Sequence, residues 1–321
     1  MKTVSAICLL LLFILAGFYV VNKYPIISDY QQTFIPGFNQ DNNIQIAIRS
    51  FDKNFTPYFL VVNPYNFETK IIAVDQFKTR QTNTASPGYY TMQELQSTPY
   101  MKALTQYSAP PYILENYGVT RATRSIDGKF LTVDMCPSTK PFEKRLFNKL
   151  VMMSKKTKQA IPVAISISGL WMLKHEKEFN WLLAQQQNNK LKIIWINHSF
   201  SHVFYRDVPF DNNFLIVPRT NLEFEIIESE KSLLEKGQLP SVFFRLPGLV
   251  SNEKIISKLS DFGLIPIGSD AWLFHNEQPI NGSIILVHGN GNEPEGIDLL
   301  MPLLDEKDLH LYPITDIFLP M

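Results

Sequence analysis

From about Ile126 onward, short apolar runs rich in β-branched residues alternate with longer stretches of helical period, and this alternation constrains the fold most. The runs are "FLTVD", "IPVAISIS", "LKIIWI", "SVFFRL", "LIPIGS", "SIILV" and "LHLYPI". Helix-like stretches lie between most of them, at residues 142–155, 170–187, 221–236, 253–262 and 294–304. Strands that are apolar throughout need cover on both faces, and helices between successive strands make those strands parallel. Seven such runs predict an α/β fold, a distorted (β/α)7-type barrel. In a barrel of this kind, reactive side chains gather just after the strands, at their carboxyl ends.

The chain ahead of this rhythm is different in kind. Residues 1–22 read as a signal peptide or an N-terminal membrane anchor: Lys2 precedes an apolar stretch at 4–21, closed by Asn22 and Lys23. Its length falls between the roughly 7–15 residues of a signal-peptide core and the roughly 20 of a spanning helix. Either reading exports the remainder, to the periplasm or cell surface, and the anchor reading adds membrane association through the N-terminal helix. Residues 22–43 read as a linker. "IQIAIRSF", "YFLVVNP" and "TKIIAVD" then read as short strands, and residues 91–106 as a helix. Residues 23–124 are thus a linker and a small β-containing extension of unknown role, and 125–321 form the main domain. Lys+Arg and Asp+Glu both number 30, so no net field attracts nucleic acid. Cys8 lies in the leader, which leaves Cys136 alone in the body and excludes an internal disulfide there.

The strand ends carry the chemistry. Asp134 closes "FLTVD", His198 and His202 follow "IIWI", Arg245 closes "VFFR", Asp270 follows "LIPIGS", and His288 closes "SIILVH". One such aspartate is more often a helix cap, and one such histidine is more often simply hydrogen-bonded. Their shared position at one end of a barrel raises the chemical reading. Two neutral imidazoles and a carboxylate make a common ligand set for catalytic Zn²⁺, with one position open to water. A further carboxylate and imidazole would then serve as general base and acid for amide or ester hydrolysis. An arginine beside the base would hold it ionised.

In order and spacing these segments resemble the polysaccharide deacetylases, the NodB-homology or carbohydrate esterase family 4 group. The family's Thr-Phe-Asp-Asp-Gly-Pro is matched by "TVDMCPS", its His-Ser/Thr-x-x-x-His by "NHSFSH", and its Arg-x-Pro by "FRLPG". Its Asp-x-Trp is matched by "SDAWL" and its Leu-x-His by "LVH", so the likeness spans residues 130–288. The resemblance implies a NodB-like deacetylase fold and removal of acetyl groups from a polysaccharide or oligosaccharide. It implies a divalent metal, Zn²⁺ first with Co²⁺ or Ni²⁺ as alternatives, held by His198 and His202, with Ser199 steadying their loop. Asp134 would be the general base held by Arg245, and His288 the general acid tuned by Asp270. Leu286, Trp272 and Pro247 would line the substrate pocket. No other cofactor and no protein partner are implied.

One departure stands out. The family's second aspartate, its third metal ligand, is Met135, and the following glycine is Cys136. A thioether is a poor partner for Zn²⁺. Asp134 or Cys136 could complete the ligand set, or the site could be metal-poor. Side chains alternate along a strand, which favours Asp134 and Cys136 facing inward and Met135 facing the helices. The rivals are Cys136 as a nucleophile beside a histidine, and a degenerate deacetylase-like protein acting as a glycan-binding or envelope scaffold. "HGNGN", at 288–292, lacks the lysine and spacing of a phosphate loop. Trp171, Phe200, Phe204 and Tyr205 are candidate sugar-stacking surfaces.

Overall fold

The period-two run at Ile44 becomes the middle of a sheet because one of its faces can be buried against a core. The computed structural model describes residues 24–79 and 91–319. Five antiparallel strands, in the order β4-β3-β2-β1-β5, make the N-terminal sheet: β1 (Ile27–Phe38), β2 (Ile44–Lys53), β3 (Thr56–Val62), β4 (Thr69–Ala73) and β5 (Lys78–Thr79). β1 occupies much of the stretch read as a linker. Register shifts at Ser28/Gln31 and Gln32/Ile35 interrupt its alternation, which is why a period-two reading misses it. The helical signal at 91–106 divides into α1 (Met92–Ser97) and α2 (Pro99–Gln106), since Pro99 cannot continue one helix but suits the first turn of the next.

The apolar runs form one seven-stranded parallel sheet, ordered β10-β9-β8-β7-β6-β12-β11. Its strands are β6 (Phe130–Met135), β7 (Ile161–Ile167), β8 (Leu191–Asn197), β9 (Pro240–Arg245), β10 (Ile265–Ile267), β11 (Ala271–Trp272) and β12 (Ile284–His288). Six of the seven expected runs are present. "LHLYPI" supplies only an isolated bridge from Leu311 to Lys129, and the two-residue β11 takes the sheet edge instead. Pro313, lacking an amide donor, sits where that seventh strand would have continued. The curled sheet is an incomplete barrel. Segment 115–122 crosses its open side: Val119 bridges to Ile267, and Arg121 to Ser283 just before β12.

Six helices cover the outer face: α3 (Lys144–Thr157), α4 (Gly169–Lys174), α5 (Glu176–Gln187), α6 (Leu222–Glu235), α7 (Glu253–Asp261) and α8 (Pro294–Leu303). Asn221 and Asn252 cap α6 and α7, accepting from Phe224 N and Ile255 N. The outward residues Leu131, Val133 and Met135 pack on Leu146, Phe147 and Leu150 of α3. The inward residues Phe130, Ile196 and Ile284 share a core with Ile46, Ile48 and Phe67 of the N-terminal region. The two sheets therefore bury one common interior, with Phe67 stacked on Phe243 at 6.0 Å between centroids. No helix among the described residues is long and apolar enough to cross a membrane. The leader reading, including Cys8, lies outside the described residues.

At Gly118 segment 115–122 passes tightly against the sheet edge. Its φ is +119°, and an added Cβ would fall 2.3 Å from the Pro266 carbonyl oxygen. Gly118→Ala is expected to cost about 2 kcal/mol or more, lowering the melting temperature by roughly 4 °C or more in a thermal scan. An unchanged melting temperature would contradict this tight crossing.

Candidate functional site

Alternation along β6 turns Phe130, Thr132 and Asp134 inward, and along β12 it does the same for Ile284, Leu286 and His288. The parallel register sets His288 opposite Asp134 and Leu286 opposite Thr132. Cys136, the next inward position after Asp134, is a buried free cysteine at the same end of the barrel. Met135 points the other way, into the helical layer. Arg245, the last residue of β9, is fully buried. It donates from Nη2 to Thr132 Oγ1 at 2.9 Å, and its Nε lies 3.7 Å from Asp134 Oδ1.

The histidine loop leaves β8 under local constraint. Ser199 and His202 both adopt left-handed φ, +62° and +47°, which non-glycine residues hold only when neighbours fix them. Asn197 Oδ1 accepts from Ser199 N, and Ser199 Oγ accepts from His202 N, each at 3.0 Å. Glu225 of α6 accepts from the amides of Phe200 and Ser201 at 3.0 and 2.8 Å. A carbonyl can only accept, so His198 Nδ1 donates to Arg245 O at 2.8 Å, leaving Nε2 as a lone-pair donor. That Nε2 lies 3.4 Å from Cys136 Sγ and 3.8 Å from Asp134 Oδ2. His202 keeps part of its ring at the surface, but its Nε2 is enclosed and has no hydrogen-bond partner among the described residues.

One donor atom from each of Cys136, His198 and His202 lies within 4.8 Å of the other two. A thiolate and two imidazoles fit a tetrahedral Zn²⁺ with its fourth position open. The back-side hydrogen bond on His198 is the outer-shell support such ligands commonly have. Of the two alternatives for the third donor, Cys136 joins this cluster and Asp134 stands beside it.

Opposite the cluster, His288 Nδ1 lies 2.7 Å from Glu293 Oε2, and the same oxygen accepts from Trp272 Nε1 at 2.9 Å. The carboxylate beside His288 is therefore Glu293, which the sequence reading passed over. Asp270, expected in that role, is at the other end of β12. It accepts from Ile284 N at 3.1 Å and Ser283 Oγ at 3.2 Å, with Arg121 Nε 3.7 Å away. Ala271 pairs with Ile285, and this register keeps Asp270 level with the start of β12. "HGNGN" packs on the Cys136 loop, where Asn290 Nδ2 donates to Cys136 O at 2.9 Å.

These groups line a cleft of about 670 Å³, walled by Leu170, Phe204, Tyr205, Phe214, Trp272 and Leu286. Pro247 is buried beside it, and the next two residues, Gly248 and Leu249, reach the wall instead. Phe204 and Tyr205 are each 53% exposed at its mouth. Trp171 is fully buried and stacked on His175, so no sugar ring can reach it.

Burial pushes the Cys136 thiol up, yet positive charge on the imidazoles, His202 and His288 foremost, outweighs this and holds it well below its ordinary value. Burial pulls His288 down, but Cys136 and Glu293 carry it well above the usual imidazole range. His202 is likewise raised against its burial, chiefly by Cys136. Burial lowers Arg245 from the usual guanidinium value despite nearby Asp134 and Cys136.

Residues 28–101 match the family model described as the RP012 protein N-terminal domain. Solved structures similar to this chain include a family 4 carbohydrate esterase from Bacillus anthracis, 18% identical, covering 68% of this chain and 90% of its own, with a TM-score of 0.46. A chitin deacetylase from the fungal pathogen Colletotrichum lindemuthianum is 13% identical, covering 64% and 93%, with a TM-score of 0.46. A family 4 carbohydrate esterase pseudoenzyme from Bacillus anthracis is 16% identical, covering 64% and 70%, with a TM-score of 0.42.

In chelator-treated protein carrying Cys8→Ser, the Cys136 thiol is expected to titrate well below the ordinary value of about 8.5. A lowered value means that the thiolate persists into more acidic buffer, which its ultraviolet absorbance reads directly. Glu293→Gln removes one group favouring protonated His288, so the titration should move to higher pH. Ordinary thiol behaviour in both proteins would contradict the electrostatics described.

Proposed function

We propose that this cleft is the active site of a metal-dependent hydrolase that removes acetyl groups from N-acetylated sugars of an envelope or extracellular polysaccharide. The observation that carries the reading is the convergence of Cys136, His198 and His202 between a buried carboxylate, Asp134, and an imidazole backed by a carboxylate, His288 with Glu293. The substrate class comes from the motif resemblance, and the exported, membrane-associated location from the leader.

Cys136, His198 and His202 would hold the ion, with Zn²⁺ best suited to that donor set. When bound, it supplies Lewis acidity that polarises the acetyl carbonyl and acidifies a water. Asp134 Oδ2, facing His198 Nε2, takes the proton of the attacking water. Arg245, braced on Thr132, keeps positive charge beside Asp134 Oδ1. As the new C–O bond forms and the C–N bond breaks, His288 gives its proton to the departing amine. Glu293 fixes the His288 ring through Nδ1, and Trp272 Nε1 fixes Glu293. Leu286 and Trp272 give the acetyl methyl an apolar wall.

A second reading has its own observation. Cys136 and His288 line the same cleft, and Glu293 Oε2 lies 2.7 Å from His288 Nδ1, so the three could serve as the nucleophile, base and orienting acid of a thiol hydrolase. Chelation separates the two. Acetate release from chitooligosaccharides or peptidoglycan should stop with a chelator and return with Zn²⁺, whereas a thiol hydrolase would be unaffected. Asp134→Asn should lower kcat by about 10²–10⁴-fold while the protein keeps its metal. Absence of both metal and turnover in the wild type would sink the hydrolase reading and leave a glycan-binding role.

A further inference from the structure

We infer that the N-terminal sheet is the fixed mount of the histidine loop, and that Arg49 of β2 is a positioning residue acting on that loop through Glu230 of α6. Arg49 is fully buried, 181 residues away from Glu230 in sequence, and binds its carboxylate in two places: Nε to Oε2 at 2.7 Å and Nη2 to Oε1 at 2.9 Å. Tyr30 of β1 adds its hydroxyl to Glu230 Oε2 at 2.7 Å. Arg49 Nη1 also donates to Phe262 O at 2.7 Å, tying the end of α7 to the same point.

The same helix also meets the loop. Asn197 Nδ2 donates to Ile226 O at 2.9 Å and lies 3.5 Å from Glu230 Oε1, while Asn197 Oδ1 holds Ser199 N. One turn earlier, Glu225 takes the Phe200 and Ser201 amides and the Ser201 hydroxyl. One helix thus presents Glu225, Ile226 O and Glu230 to a loop that contains both histidines, and the N-terminal sheet fixes that helix. A loop with Ser199 and His202 in left-handed conformation stays so only while its supports are over-determined. Loosening α6 would release all of these supports together. This gives residues 28–101 a part in the site although none of their described side chains lines the cleft.

The metal half of the test rests on the hydrolase reading; the loop half does not. Removing only one buried charge would unfold the seam, so both go, as Arg49→Met/Glu230→Met in the full chain, an apolar swap that commonly preserves a fold. In chelator-treated protein, amide exchange at residues 199–202 should quicken by about tenfold while β6 and β7 keep wild-type protection, and Zn²⁺ affinity should fall by about tenfold by chelator competition. Arg49→Lys, which keeps one charged contact, should recover part of both. Tyr30→Phe, which removes a single hydroxyl, should quicken the loop amides by about threefold and decides the matter should the double variant not fold. Quickened loop exchange in a protein that binds no Zn²⁺ would support the mount and overturn only the metal reading. Exchange within about twofold of wild type in a folded variant, well below what losing such support costs, would overturn the mount.

Discussion

A single hydrogen bond, from His198 Nδ1 to the Arg245 carbonyl, sets the chemistry of the cleft. It fixes the tautomer, so His198 Nε2 carries a lone pair toward Cys136 and Asp134. It also ties the tip of β8 to the tip of β9, whose last side chain, Arg245, is braced on Thr132 beside Asp134. His198 Nε2, Asp134 and Arg245 are therefore placed together by one strand-to-strand contact. Its partners are buried, where a hydrogen bond is stronger and a missing partner costs more than in water.

Burying so many ionisable groups in an apolar barrel is unfavourable unless each has a counter-group. Arg245 and Asp134 face each other within the sheet, and Glu293 faces His288. Cys136 lies among three imidazoles, and positive charge on His202 and His288 favours its anion against the penalty of burial. On the far side of β8, Arg49 and Glu230 compensate each other at the seam between the two sheets. β8 thus runs between two buried charge clusters, and the loop at its tip is braced from both.

The parts legible in the sequence were those written into short-range pattern. Alternation along "TVDMC" separated Asp134 and Cys136 from Met135 by face, and the spacing of "NHSFSH" placed both imidazoles in one loop. Asp270 misled because its motif neighbours, Ala271 and Trp272, pair with Ile285 and Leu286, a register no local pattern encodes. Glu293 was missed because it reaches His288 across the "HGNGN" turn. There Gly291, at φ +76° and with a Cβ position 2.4 Å from the Pro141 carbonyl, lets the loop fold back. Arg49 and Glu230, far apart along the chain, meet only once the two sheets share a core. β11 was missed because its two residues form a strand solely through pairing with β12.

X-ray absorption at the zinc edge of the purified, zinc-loaded protein reads the donor set of the cleft. One sulfur scatterer at about 2.3 Å with two imidazole nitrogens at about 2.0–2.1 Å is the predicted shell. A bound ion with only nitrogen and oxygen neighbours would remove Cys136 from the ligand set and contradict the site as described.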